Sequence, residues 1–371
     1  MDIINSIVQE LSDIHFIGQF IGWLHSLIGD YGLTVVLFTV LLAIIKLPLD
    51  YWQRFSMKKT AVMQKALEPQ MQAIDKKYPN DPQRASFEKQ ELLKKSGMSL
   101  FGGCLPLIVT MFIFIVMFQG LSAYSTYSSN MLFNKLADSY NEAYLAVYSA
   151  EQIEADEAAL LKLKDEYGYD SAEYKALAEA IAQKRSDANK AAQPAVAKTF
   201  DEEHEGFLWV RNIYRPDTSA KVFATYDEAI NPKGSGIGID KEKITKSEYD
   251  VIYDAVMTSE TAKGYFGGNW NGLFILPILS IAFSIVSQLI TQWINKKKGV
   301  PVDPQTASTN KMMMFMMPIM YAFFVFQYTA AFAVYIVCNA FISMGMGFVL
   351  NKLVEKKAEA AVMEKLKNNV T

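Results

Sequence analysis

The residues that could do chemistry in this 371-residue chain are polar side chains set inside otherwise apolar runs. Thr110 and Gln119 share one run, Ser284, Ser287 and Gln288 a second, and Asn339 and Ser343 a third, while Lys46 closes another. Ser284 and Gln288 stand four apart, as do Asn339 and Ser343, the spacing that puts two side chains on one helix face. Such groups donate and accept hydrogen bonds and hold one positive charge. They do not offer covalent catalysis. No nucleophile stands beside a base in a recognisable motif, no glycine loop cradles phosphate, and Gly234-Ser235-Gly236 has no strand-turn-helix around it. His15, His25 and His204 are scattered, without a cysteine or carboxylate at ligand spacing, so neither metal nor cofactor is expected. Cys104 and Cys338 both fall in apolar runs and exclude a disulfide framework. The chain reads as a protein that is not an enzyme.

The elements that carry these residues are read window by window, because the averages conceal them. Charged residues make up 20% and the mean hydropathy is only +0.09. About 20 apolar residues span a ~30 Å hydrocarbon core, and four blocks qualify: Tyr31 to Leu49, Phe101 to Ala123, Leu273 to Ile294, and Met312 to Leu350. The last would make a helix of about 58 Å at ~1.5 Å per residue, so it is read as two spans with a turn near Gln327-Tyr328-Thr329. The fold class is thus an all-α polytopic membrane protein with five transmembrane helices.

Charge sets the expected orientation. No Lys or Arg precedes Lys46, whereas Asp2, Glu10, Asp13 and Asp30 do; the start lacks the basic region of a signal peptide and reads as an acidic tail held outside. The three segments then placed in the cytoplasm (50–100, 295–311 and 351–371) hold 19 Lys/Arg against 10 Asp/Glu. The long segment placed outside, 124–264, holds 16 against 25. That asymmetry follows the positive-inside rule, and Lys296-Lys297-Lys298 is its clearest marker.

The expected order is an external interfacial amphipathic helix (1–30), a first span (31–52), a cytoplasmic helical hairpin (53–100) and a second span (101–123). An extracytoplasmic domain (124–270) follows, then a third span (271–294), a cytoplasmic loop (295–311), two spans (312–328 and 329–350) and a basic cytoplasmic tail (351–371). Ile3 to Ile28 carry apolar residues every three or four positions, which suits either a helix lying on the membrane or one packed on protein. The cytoplasmic hairpin runs from Gln53 to Lys77, turns at Tyr78-Pro79-Asn80-Asp81-Pro82, and returns from Gln83 to Lys95, with Gly97 as its C-cap. The external domain has a helical hairpin of its own, Asn141 to Glu166 and Ser171 to Ala191, with Asp170 and Glu173 spaced like a capping box and Pro194 ending the second arm. A module with a helix starting at Ser247 follows it.

The ordered series Leu47-Pro48-Leu49, Ser56-Met57-Lys58-Lys59, Glu68-Pro69, Lys77-Tyr78, Asp81-Pro82 and Gly102-Gly103-Cys104-Leu105-Pro106-Leu107 resembles the YidC/Oxa family of membrane insertases. Phe207-Leu208-Trp209 with Pro216-Asp217, then Ile275-Leu276-Pro277, Met316-Met317-Pro318 and Ala330 to Tyr335, extend the likeness to about two thirds of the chain. The hairpin from Asn141 to Lys198 looks like an insertion. The family's arginine in the first core helix, five residues before the proline, is Ala43 here, and Thr110, Phe112, Leu100 and Thr329 also depart from its pattern. Lys46, one turn on, has two readings: it supplies the groove's charge, or it snorkels to the interface. The intramembrane polar residues likewise suit either interhelical hydrogen bonding or a hydrated groove.

The resemblance implies an insertase of the bacterial plasma membrane that moves short hydrophilic segments of nascent membrane proteins through a polar groove and releases their helices into lipid. Lys46, Thr110, Gln119, Ser284, Ser287, Gln288, Asn339 and Ser343 would line the groove. Met57, Lys58, Lys59 and Tyr78 of the cytoplasmic hairpin would recruit the client. The ribosome, the Sec translocon and anionic lipids are further expected partners, and DNA is not. The alternative is a small polytopic transporter or channel, against which stands the lack of an internal repeat or paired broken helices.

Overall fold

The computed structural model describes residues 4–96, 105–231, 237–265, 268–297, 319 and 322–368. Among these the chain is helical, and paired extended backbone is confined to two isolated bridges, Phe207 to Val210 and Tyr265 to Trp270. Expectations about Gly97, the Gly102-to-Cys104 motif, Gly234 to Gly236, Lys298, Met316-Met317-Pro318 and most of the 295–311 loop lie outside the described residues. Among the described residues two helices are long and apolar enough to cross a membrane: α2 (Tyr31–Ala66) and α11 (Ala330–Asn368). Between them in sequence come α3 (Glu68–Lys77), α4 (Pro82–Lys95), α5 (Leu105–Val147), α6 (Ala150–Tyr167), α7 (Ala172–Glu203), α8 (Tyr226–Ile230), α9 (Lys246–Val256) and α10 (Ile275–Lys297); α1 (Phe16–Ile28) precedes them. The chain forms two compact units.

The first unit comprises Met1–Thr34, Gln119–Pro277 and Phe324–Ala333. Its core forms where α5 presents Phe133, Leu136, Ala137, Tyr140 and Tyr144 on one face, joined by Ala192, Val196 and Phe200 of α7 and Tyr249, Ile252 and Val256 of α9. Each large side chain so buried contributes about 1.5–3 kcal/mol. The sequence expectation for the inserted hairpin is corrected in three places. The first arm breaks at Ser149, which opens α6 with a reciprocal cap: the Gln152 N–H donates to Ser149 Oγ and the Ser149 N–H to Gln152 Oε1. The cap of α7 is Ser171 rather than Asp170, accepting from the Tyr174 N–H at 3.2 Å. Pro194 lies inside α7. Its missing N–H costs about 3 kcal/mol, but the proline faces solvent while Val196 and Phe200, beyond it, are fully buried and hold the helix to Glu203.

The amphipathic start is not one helix. Residues 4–10 run without helix, a short 3-10 turn spans Leu11–Asp13, and α1 begins at Phe16. Asparagines one or two turns apart on α5 explain this. Asn141 exchanges two hydrogen bonds with the Ile4 backbone, Asn134 does the same with Ile7, and Asn130 donates to the Gln9 side chain. The side-chain amides thus satisfy backbone groups that a helix would otherwise pair internally. α1 itself packs Gly18, Ile21, Gly22 and Leu24 inward. It crosses α5 so closely that a Cβ on Gly120 would lie 2.4 Å from Ile17 Cγ2. Its other face leaves Phe16, Phe20, Trp23 and Leu27 exposed, so both faces are apolar.

The second unit comprises Val35–Phe118, Ile278–Phe323 and Val334–Thr371. α2 continues through Pro48 to Ala66, and the first arm of the expected hairpin is therefore split at Leu67, where α3 starts with Pro69 in its first turn. α3 and α4 are tied by Lys89 to Asp75 at 2.7 Å, and Asp81 caps α4 by accepting from the Arg84 N–H. The expected basic tail is helical: α11 runs on to Asn368 and buries Val354, Ala358 and Val362 at every fourth position. Val362 packs with Met63 and Leu67, against which Met71 and Leu93 also rest.

Candidate functional site

In the first unit a single strap, residues 205–218, holds the starts of three apolar helices. At α2, Glu205 Oε2 accepts from the Tyr31 N–H at 2.9 Å and lies 3.1 Å from His25 Nε2, while the Tyr214 hydroxyl donates to Glu205 Oε1. His25 Nδ1 meets the Tyr124 hydroxyl at 2.6 Å, and Tyr31 stacks on Tyr214 with ring centres 5.3 Å apart. Burial pushes the Glu205 carboxyl upward, but His25, Tyr214 and the Tyr31 N–H outweigh it and hold its pKa below the ordinary 4.5.

At α10, Asp217 is fully buried and accepts from the N–H groups of Leu273 (3.1 Å) and Leu276 (2.9 Å). Those donors have no partner within the helix. Gly272 is required there, since a Cβ would lie 1.8 Å from Asp217 Oδ1. Burial raises the Asp217 pKa, and the surrounding N–H donors only partly offset it. At α11, the N–H groups of Ala330 and Ala331 donate to the carbonyls of Arg215 and Ile213, at 2.9 and 3.1 Å. The helical stretch 322–327 ends before Tyr328 and α11 opens at Ala330, so the chain turns where polar residues interrupt the apolar run. Asn271 completes the strap by donating to the carbonyls of Asn212, Arg215 and Pro216. Arg215 is itself fixed by Glu228 at 3.0 Å.

The polar residues singled out in sequence are distributed as follows. Ser284 on α10 is buried, while Ser287, Gln288, Asn339, Ser343 and Lys46 are half-buried, all in the second unit. Gln119 is exposed and belongs to the first unit, so it does not join them. The Thr110 side chain lies outside the described residues. Phe283 and Phe341 bring α10 and α11 together, with ring centres 6.2 Å apart. Lys46 makes no hydrogen bond or ion pair among the described residues and sits between exposed Ile45 and Leu47. Of the residues expected in the cytoplasmic hairpin, Met57 on α2 is exposed, Lys58 and Lys59 beside it are half-buried, and Tyr78 lies under both Lys77 and Arg84, 5.2 and 5.1 Å from its ring centre.

Sequence reasoning passed over Arg54. Its guanidinium reaches the Ser343 carbonyl and the Asn351 side chain, each at 3.4 Å. Gly347 leaves it room, because a Cβ there would sit 3.3 Å from Arg54 Nη1. The available signal was spacing: Arg54 follows Ala43 by 11 residues, about three helical turns, and so shares its face.

The profile of the family described as 60Kd inner membrane protein matches residues 23–358. The chain belongs to this family. Members similar to it include proteins named membrane protein insertase YidC. The one from Caldanaerobacter subterraneus subsp. tengcongensis is 32% identical over 114 residues, 31% of this chain and 53% of its own. That of Fusobacterium nucleatum is 35% identical over 112 residues, 30% of this chain and 53% of its own. That of Wolinella succinogenes is 39% identical over 99 residues, 27% of this chain and 18% of its own. The matched stretches thus span about half the length of the first two relatives. Within the 60Kd inner membrane protein family, the matched range takes in both the strap and the polar residues of α10 and α11.

Proposed function

We propose that this chain is a membrane protein insertase of the bacterial plasma membrane, multi-pass, with five spans, its start outside and its end in the cytoplasm. The observation that carries the reading is the family match from residue 23 to 358, beside relatives that are named insertases. The physical argument is complementary. A strap of hydrogen bonds satisfies the starts of α2, α10 and α11, so these ends need no water. The half-buried polar groups of α2, α10 and α11 favour hydration further along the same helices. A wet groove open on the cytoplasmic side shortens the hydrocarbon that a hydrophilic tail must cross. The client's apolar helix then leaves between lipid-like surfaces.

Lys46 and Arg54 are the candidate groove cations, with Ser284, Ser287, Gln288, Asn339 and Ser343 as its polar lining. Met57, Lys58, Lys59 and Tyr78 receive the client. The basic face of α11, which carries Lys352, Lys356 and Lys357, meets anionic lipid or the ribosome, and Sec is a further partner. The test is depletion. Vesicles from depleted cells should fail to insert single-span clients with short tails, and added chain should restore insertion. Normal insertion without the chain would falsify this reading.

A further inference from the structure

A cleft of about 320 Å³ opens beside the strap, lined by Asp30, His204, Phe207, Leu208, Arg211 and Tyr265 among others. Three observations concern it. First, Leu208 has φ +54°, a left-handed conformation that costs a branched side chain stability, and it is 72% exposed. A tight turn closed by Phe207 and Val210 pushes it outward. Backbone strain is thus spent on presenting an aliphatic side chain to the surroundings. Second, the turn is seated at the first turn of α2. A Cβ on Gly32 would lie 1.9 Å from Phe207 Cδ2, and nearby Trp270 packs on Phe274 at the start of α10. On the membrane reading of α2 and α10, that is the depth of lipid headgroups.

Third, the cleft holds one charge of each sign. The Arg211 guanidinium lies 4.9 Å from the Tyr265 ring centre and donates once, to the Thr261 carbonyl at 3.0 Å. The rest of its donor fork is uncommitted among the described residues. Asp30 accepts from the Leu33 N–H through Oδ1, and its Oδ2 has no partner among the described residues. A purely anionic ligand would meet Arg211 at the cost of facing Asp30. A ligand with both charges satisfies both walls.

We propose that this cleft binds the headgroup of a phosphatidylethanolamine-type lipid, with the phosphate on Arg211, the primary ammonium on Asp30 and the acyl chains beside Leu208. The assignment rests on the membrane reading and not on insertase activity, so the two can fail separately. The full chain is placed in nanodiscs of equal parts phosphatidylethanolamine, phosphatidylglycerol and phosphatidylcholine, and retained lipid is counted by native mass spectrometry. Phosphatidylethanolamine should dominate by roughly tenfold, the worth of a charge-assisted hydrogen bond. Phosphatidylcholine, whose quaternary ammonium cannot donate to Asp30, should be retained weakly.

Asp30→Asn, which still caps α2, should erase the preference for phosphatidylethanolamine over phosphatidylcholine. Arg211→Gln should reduce retention of both. Leu208→Gly relieves the turn, so the melting temperature should hold or rise while retention falls. Equal retention of all three lipids, a preference for phosphatidylglycerol, or wild-type retention in the variants would overturn the proposal.

Discussion

Glu205 offers the sharpest test of the strap. One carboxylate serves three donors: the Tyr31 N–H at the start of α2, the Tyr214 hydroxyl and, when protonated or carrying its proton on Nε2, His25. Glu205→Ala strands all three. A half-buried donor left without a partner costs about 1–3 kcal/mol, and because the three share one acceptor the total should fall near 3–5 kcal/mol, as for other broken buried pairs. Glu205→Gln keeps the shape and one carbonyl acceptor while losing the charge, so about 1–2 kcal/mol is expected. At roughly 2–4 °C per kcal/mol for a folded unit of this size, the alanine variant should melt about 6–20 °C below wild type in detergent, and the glutamine variant about 2–8 °C below.

The pH dependence has a definite sign. The folded carboxyl is held below its ordinary value near 4.5, so its contribution is complete above pH ~4.5 and is lost as pH falls through the depressed value. The glutamine variant should lack that part of the acid decline. Melting temperatures within 2 °C of wild type for the alanine variant, or parallel acid limbs in wild type and Glu205→Gln, would refute the reasoning.

Other expectations follow from separate contacts. Gly32→Ala drives a methyl into the Phe207 ring and should cost about 1–3 kcal/mol, read as a lower melting temperature that Phe207→Ala partly restores. Val362→Asp buries a charge between α11 and Met63; limited proteolysis should then release the end of α11 while leaving the first unit resistant. Arg54→Ala should slow insertion of clients with acidic tails more than Lys46→Ala does, since Arg54 is braced by Ser343 and Asn351 and Lys46 is not. The opposite order in an in vitro insertion assay would return the groove charge to Lys46. Ser149→Ala should lower stability by about 1 kcal/mol through loss of the α6 cap, measurable as a small fall in melting temperature.

The sequence carried some of this plainly. Hydropathy windows found the apolar parts of α2, α10 and α11, and the Tyr78-to-Pro82 turn separates α3 from α4 where its two prolines demand it. Local misreadings had local causes. Pro194 ends a helix only when nothing beyond it is buried, and Val196 and Phe200 are. The Ser149-to-Gln152 cap has the spacing of a capping box, but strong helix formers on either side make the arm read as one helix. The start of the chain misled for a different reason: its periodicity is helical, yet its backbone bonds go to Asn134 and Asn141, more than a hundred residues away. The strap was illegible for the same reason, because Tyr31 meets Glu205, and Leu276 meets Asp217, only across long stretches of chain. Gln119 shares its residue type with Gln288 but not its surroundings, and type alone could not say so.

The strap also gathers three helix dipoles. Each helix start carries about half an elementary positive charge, and the starts of α2, α10 and α11 all end on residues 205–217. Unopposed, they would make this face of the molecule an anion trap. Glu205 and Asp217 are carboxylates placed against them, the first at α2 beside Asp30 and the second at α10, while α11 meets carbonyl oxygens and the Thr329 hydroxyl. These carboxylates offset the partial positive charges of the two helix starts they face. Removing either carboxylate would do more than loosen a helix: it would recharge that end of the protein.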